Sequence, residues 1–367
     1  MATPKSGHTE DAGQELIAVT ASPLTETLPA DAVLIDLSPT DDEPAMQEAL
    51  RTAASVGLAS GVASGLQTGR RSYALRQDGN GLLLTVTARS LPPGRVSGKI
   101  ALVTGGAQGF GEEIVRGLVA SGATVFIADL NKDGAEKLAA TLNAGSGRTA
   151  AYPLIMDVSN EDSVSGAFDV MARTSGGLDL VVSNAGVLKA GSVLEQSMAD
   201  FEFVTKVNYT AFFLVAKYAG RMMKHQHAGA PGLMTDIIQI NSKSGLEGSN
   251  KNGAYAGSKF GGIGLVQSFA LELVEYGVKV NAICPGNFFD GPLWSDPDRG
   301  LFVQYLRTGK VPGAKTVADV KAFYEAKVPM RRGCEGPDVM KAIFYLMEQQ
   351  YETGQALPVT GGQVMLN

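Results

Sequence analysis

The apolar run Ile100-Ala101-Leu102-Val103 leads straight into Thr104 and a glycine turn, Gly105, Gly109 and Gly111, from which a long amphipathic stretch departs. A strand, a glycine turn and a helix in that order put the chain in the α/β class, where a parallel sheet receives a pyrophosphate at the helix N-terminus. The spacing G-x-x-x-G-x-G differs from the dinucleotide pattern G-x-G-x-x-G, and by itself it could mark only a tightly packed turn. A second apolar run, TVFIADL, ends on Asp129, 18 residues beyond Gly111. A carboxylate there can accept hydrogen bonds from ribose hydroxyls and repel a 2′-phosphate, which favours NAD over NADP, although Lys132 stands close by and Asp129 could be an ordinary surface residue. Apolar strands and helices then alternate nearly to the end. The expected fold is a doubly wound, mostly parallel sheet of about seven strands flanked by helices.

A chain of 367 residues suggests about two domains, and the composition shifts near residue 95. Before it, LIAVTA and AVLIDL read as short strands, PAMQEALRTAASVGLASGVASGL as a helix, and SYALRQDGNGLLLTVTARSL as a hairpin turned at Asp78-Gly79-Asn80-Gly81. The expected division is a small α+β unit of residues 1–95, with no convergent catalytic residues, and a doubly wound α/β domain of residues 96–367. With a formal net charge of −6 and no long Lys/Arg cluster, the chain is a poor nucleic-acid partner. Two cysteines, Cys284 and Cys334, and an N-terminus without a basic start or an apolar stretch fit a reducing cytoplasm. No run reaches the roughly 18 apolar residues that span a bilayer, so no membrane role is expected. The close pair His225 and His227 has no third ligand in view, and no metal site is expected.

Tyr255 and Lys259 lie four residues apart in YAGSKFGGIGLVQSFALELVE, whose apolar positions recur at helical spacing. Both side chains then leave one helix face, with their Cβ atoms about 5–6 Å apart. A free tyrosine, with a pKa of about 10, is a poor base at neutral pH, and a cation beside it is expected to lower that value. On the residues alone, Ser242 and Ser244 are both candidates to work with the pair.

Thr104-Gly105-Gly106-Ala107-Gln108-Gly109-Phe110-Gly111, Asp157-Val158, Asn184-Ala185-Gly186, Asn208, Ser242 with Tyr255-Ala256-Gly257-Ser258-Lys259, and Pro285-Gly286 occur in this order. Together they make residues 98–367 resemble the short-chain dehydrogenase/reductase family. The resemblance implies an NAD-dependent oxidoreductase acting on the CH–OH group of its donor. It implies cofactor contacts at Gly105, Gln108, Gly109, Phe110 and Gly111, at Asp129 and Leu130, and at Asp157 and Val158 beside the adenine. Further contacts are implied at Asn184, Ala185 and Gly186 in the groove, at Tyr255 and Lys259, and at Pro285, Gly286 and Asn287 beside the nicotinamide. The family's interval of 13 residues before the tyrosine selects Ser242 over Ser244. Tyr255 would take the alcohol proton, Lys259 lower the phenol's pKa and hold the ribose, Ser242 stabilise the oxyanion, and Asn208 hold a water for proton exchange. Where the family often has a threonine after the Pro-Gly, this chain runs Asn287-Phe288-Phe289-Asp290-Gly291-Pro292.

Within the family, the last third resembles the sorbitol-6-phosphate 2-dehydrogenases, and the module is also similar to the dehydrogenase portion of bifunctional aldolase/alcohol dehydrogenase proteins. A polyol or sugar phosphate substrate is implied, met by Ser242, Lys243, Tyr255 and Trp294, with Lys251, Arg331 and Arg332 as further cations. The segment from Asn287 to Met330 is expected to fold as a helical lid over the substrate. A homodimer or homotetramer is implied. The alternatives are a dehydrogenase acting on a non-carbohydrate ketone or acyl-thioester, and a non-catalytic NAD-binding sensor.

Overall fold

The computed structural model describes residues 94–365, apart from 230, 231, 299 and 308, together with five strands before residue 92. Those strands are β1 (Glu15–Thr20), β2 (Ile35–Asp36), β3 (Gln67–Thr68), β4 (Arg71–Asp78) and β5 (Gly81–Ala88). They form a sheet in the order β2-β1-β5-β4-β3. The expected hairpin is present, with β4 and β5 paired antiparallel from Arg71↔Ala88 to Asp78↔Gly81. The helix expected over PAMQEALRTAASVGLASGVASGL lies outside the described residues. The described residues fall into two compact units, these strands with Asp169–Gly177 in one and the rest in the other.

The second unit contains β6 (Ile100–Thr104), β7 (Thr124–Asp129), β8 (Ala151–Ile155), β9 (Leu180–Ser183), β10 (Thr235–Ile240), β11 (Val278–Pro285) and β12 (Ala356–Val359). They make one sheet in the order β12-β11-β10-β9-β6-β7-β8, and every neighbouring pair is parallel. Every residue of β6, β9, β10 and β11 is buried. That explains why β6 and β9 read as apolar runs instead of alternating ones: helices cover both faces of a parallel sheet. Helix α1 (Gly109–Ala120) presents Ile114, Val115 and Leu118 to a core shared with Val103, Val125 and Ile127, and α10 (Gly336–Glu348) adds Val339, Ile343 and Leu346.

Two features of this sheet orient the site. The strand order reverses between β6 and β9, so the loops leaving their carboxyl ends diverge and open a crevice there. At the amino ends, Lys279 and Asp236 face each other across β11 and β10 and form a buried ion pair at 2.9 Å. The Lys279 ammonium also donates to the carbonyls of Leu346 and Gln349, so its charge is well ligated although the side chain is almost fully buried. Burial pushes the Asp236 carboxyl up to about 6, against the pull of Lys279.

Candidate active site

The glycine turn is built by backbone geometry that only glycine adopts easily. Gly105 and Gly109 have φ of +62° and +60°, in the left-handed region. At Gly111 a Cβ would lie 1.9 Å from the Gly105 carbonyl oxygen, so α1 begins hard against the end of β6. The turn is laced to the neighbouring strand end. Thr104 Oγ1 accepts from the backbone N–H groups of Asn184 and Ala185, both at 3.0 Å. Asn184 Nδ2 donates back to the carbonyls of Thr104 and Gly105 at 3.0 and 3.1 Å. The two strands that flank the crevice are thus held together by four hydrogen bonds.

Asp129 closes β7 beside this turn. One carboxylate oxygen accepts from Ala107 N at 3.0 Å and the other from Asn131 N at 2.9 Å, which leaves each oxygen a free lone pair. Leu130, next to it, is largely exposed. Asp157 Oδ1 accepts from both the backbone and the hydroxyl of Ser159, at 2.9 and 2.8 Å. A close-approach glycine turn at a helix N-terminus, with carboxylates at the ends of the next two strands, suits a dinucleotide: pyrophosphate on the turn, ribose hydroxyls on Asp129 and adenine against Asp157 and Val158. Gly105, Gln108, Gly109, Phe110, Asp129, Leu130, Asp157, Val158 and Asn184–Gly186 all line one cleft of about 1250 Å³. The same cleft continues past Ser242, Lys243, Tyr255 and Lys259 to Pro285, Gly286, Asn287 and Trp294.

Tyr255 and Lys259 are on helix α6 (Gly253–Leu273), and the predicted spacing does bring them to one face, with Lys259 Nζ 5.6 Å from the Tyr255 ring centroid. Lys259 is buried and donates to Ile240 O at 3.0 Å. Desolvation pushes its pKa down to about 8. Asn241 fixes the surroundings: its Nδ2 donates to Gln239 Oε1 at 2.8 Å and to Lys259 O at 2.9 Å, and its Oδ1 accepts from Ser242 N at 2.8 Å. The lowered phenol pKa expected from a neighbouring ammonium is not what this geometry gives. Burial raises the Tyr255 pKa, and the effect that opposes burial is the hydrogen bond with the Ser242 side chain. The free thiol of Cys284, at the end of β11, contributes to the shifts of Tyr255 and Lys259 and is itself pushed up to about 11 by burial.

Asn208 occupies a π-helical turn, Lys206–Thr210, between α4 (Met198–Thr205) and α5 (Ala211–Gly229). Such single π turns put a side chain where a regular helix would not. Here Asn208 Oδ1 accepts from Val187 N at 2.8 Å, while Nδ2 donates to Val187 O at 2.9 Å and Ser258 Oγ at 3.2 Å. Its side chain is buried behind the cleft wall and braces the loop after β9 against α6. That bracing role was not legible in the sequence.

The segment after Asn287 is helical, as expected, and folds as α7 (Pro292–Ser295), α8 (Leu301–Arg307) and α9 (Val317–Ala326). It has its own apolar core of Phe289, Trp294, Leu301, Phe302, Val311, Val320 and Val328. Phe288 stacks on Phe110 of the glycine turn, with centroids 4.2 Å apart and planes 13° apart. Trp294 is mostly buried in this core and reaches the cleft with part of its ring. Lys243 and Lys251 line the cleft. Arg331 and Arg332 do not: Arg332 is held by Asp338 at 2.5 and 2.9 Å, and Arg331 donates to Ala326 O at 2.8 Å. The expectation that these arginines supply cations to the pocket is therefore corrected: they do not line the cleft, and their guanidinium groups turn to α9 and α10 instead. Asn241, Lys310 and Tyr324 belong to the cleft or its supports and carried no local sequence signal.

Residues 99–293 match the family described as short chain dehydrogenase. The chain is 37% identical over 270 residues to the sorbitol-6-phosphate 2-dehydrogenase of Escherichia coli (strain K12), covering 73% of this chain and 99% of that protein. It is similar to the crystal structure of a sorbitol-6-phosphate 2-dehydrogenase from Erwinia amylovora, with a TM-score of 0.67, 37% identity, and coverage of 72% of this chain and 100% of the other. An actinorhodin polyketide ketoreductase solved with NADPH gives a TM-score of 0.63 at 26% identity, covering 72% and 97%. The resemblance to aldolase-linked proteins finds no support in these relatives.

Proposed function

The chain belongs to the short-chain dehydrogenase family, and from that premise we propose that it interconverts a secondary alcohol and a ketone on a sugar alcohol or sugar alcohol phosphate, using NAD. The observation that carries this reading is the convergence of Ser242, Tyr255 and Lys259 in the cleft that begins at the glycine turn. A bound nicotinamide would supply or accept the hydride. In ketone reduction Tyr255 gives its phenolic proton to the carbonyl oxygen, and its raised pKa keeps that proton available at neutral pH. Ser242 steadies the charge that develops on the same oxygen. Lys259, with its pKa near 8, is mostly charged at neutral pH and is suited to hold the ribose hydroxyls. In alcohol oxidation Tyr255 must first release its phenolic proton to solvent, because only the phenolate can accept the alcohol proton as hydride leaves.

The preference for NAD rests on Asp129, whose free lone pairs meet ribose hydroxyls and whose charge opposes a 2′-phosphate. Lys132 is drawn toward Glu136, at 3.7 Å, and both are exposed. The two buried free thiols, Cys284 and Cys334, support a reducing, cytoplasmic setting. We also read residues 1–95 as a separate unit and the protein as a homodimer or homotetramer, as the family resemblance implies. A second reading, a non-carbohydrate ketone as substrate, is favoured by the likeness to a polyketide ketoreductase solved with NADPH.

Steady-state rates on sorbitol 6-phosphate, free sorbitol and simple secondary alcohols, with NAD and with NADP, test the reading. Tyr255→Phe is expected to lower kcat by roughly 10²–10⁴-fold and to leave NAD binding unchanged. Faster turnover of non-carbohydrate ketones than of either polyol would overturn the substrate class. Turnover that survives in Tyr255→Phe would overturn the mechanism.

A further inference from the structure

The cleft is electrostatically divided. Among the described residues, the only carboxylate-bearing ones that line it are Asp129 and Asp157, at the end assigned to adenosine. Lys189, Lys243, Lys251 and Lys310 also line it. Among the described residues, Lys189 has Asp200 at 3.8 Å, whereas Lys243, Lys251 and Lys310 have no carboxylate within ion-pair distance. Uncompensated ammonium groups on a concave wall favour an anionic ligand.

Lys310 differs from the others in its support. It follows α8 on the lid, and its backbone N–H returns to Tyr305 O at 3.0 Å. This closes a turn that sets Nζ 4.0 Å from the Tyr305 ring centroid. Tyr324, from α9, lies beside Tyr305 with ring centroids 5.4 Å apart, and Trp294 meets both rings edge-on at 6.0 and 5.1 Å. Tyr305, Tyr324 and Lys310 all line the cleft. Neither phenol hydroxyl is spent on a hydrogen-bond acceptor among the described residues. Burial together with the Tyr305 phenol beside it raises the Tyr324 pKa, which keeps its hydroxyl a donor. Two neutral O–H donors and one compact cation, fixed on an aromatic wall, match the acceptor-only oxygens of a phosphate.

We propose that Lys310, Tyr305 and Tyr324 form a lid-borne subsite for the phosphate of the substrate, and so set the preference for a phosphorylated over a free polyol. The proposal rests on the polyol reading above and deepens it. The phosphate binds the lid while the reacting carbinol sits at Ser242 and Tyr255, so that substrate charge fastens the lid over the reaction. Lys327, whose ammonium is 5.2 Å from the Tyr324 ring centroid but which does not line the cleft, provides a control.

The test compares Lys310→Met, Lys310→Arg, Tyr324→Phe and Lys327→Met with the parent protein. Sorbitol 6-phosphate and sorbitol serve as substrates, and inorganic phosphate as a competitor against the alcohol. Lys310→Met is expected to raise KM for the phosphate ester roughly 10- to 100-fold, the size of a lost charge-assisted hydrogen bond. Its kcat and its KM for sorbitol should stay near the parent values, and inhibition by inorganic phosphate should disappear. Lys310→Arg restores most of the affinity, Tyr324→Phe shows a smaller loss of the same kind, and Lys327→Met shows none. An unchanged KM for the phosphate ester in Lys310→Met, or equal losses on both substrates, overturns the subsite. A parent protein that prefers free sorbitol also overturns it while leaving the polyol reading intact. If neither polyol is turned over, the polyol reading fails, and calorimetric binding of sorbitol 6-phosphate decides the subsite separately: binding that Lys310→Met abolishes upholds it, and no binding overturns it.

Discussion

Replacing Lys259 with methionine should make the protein more stable and inactive at once. The ammonium is buried, and its pKa falls from 10.5 to about 8 for that reason. That fall, at about 1.36 kcal/mol for each tenfold change in proton affinity, puts the cost of holding this charge at neutral pH at about 3 kcal/mol. Methionine keeps the length and apolar stem of the side chain but loses the hydrogen bond that the charged amine donates to Ile240 O, worth about 2 kcal/mol. The net gain is then about 1 kcal/mol, or roughly 2–4 °C in Tm for a domain of this size. The sign of the pH dependence follows from the protons bound. Between pH 8 and 10.5 the unfolded chain holds more protons at this position than the folded one, so the parent protein gains stability relative to the variant as pH rises through that window. The advantage of Lys259→Met should therefore be complete below pH 8 and close as pH approaches 10.5. Thermal and urea unfolding at several pH values would measure it, with turnover assayed on the same samples. A variant less stable than its parent at pH 7, or a gap that ignores pH, would refute the claim that desolvation dominates at this lysine.

Two further outcomes concern the cofactor end. Thr104→Val removes the acceptor of two part-buried backbone N–H groups and should cost roughly 1–3 kcal/mol in urea unfolding, with NAD affinity weakened and Thr104→Ser close to the parent. Gly111→Ala drives a methyl against the Gly105 carbonyl; the chain should still fold by circular dichroism while NAD titration records a loss of roughly 10- to 100-fold.

What the sequence disclosed and what it hid divide along a physical line. Tyr255 and Lys259 were legible because four-residue spacing on a helix is a local property, and the glycine turn because strand, turn and helix are contiguous. The hairpin of β4 and β5 was legible for the same reason, its Gly79 and Asn80 lying between two runs of strand-forming residues. Thr104 was quoted within the turn but gave no sign of its role, since its partners lie 80 and 81 positions away. Asn241 reaches 18 residues forward to Lys259, across a strand-to-helix connection. Tyr305 meets Lys310 and Tyr324 only once three short helices have folded around Trp294. The direction of the Tyr255 shift was misjudged because adjacency can be counted along a helix, whereas desolvation is set by everything that later closes over the ring.

The helical segment after Asn287 carries its own apolar cluster, Phe289, Trp294, Phe302 and Val320, yet Phe288 stacks on Phe110 of the glycine turn, so a substitution in this segment that shifts Phe288 is felt at the turn as well.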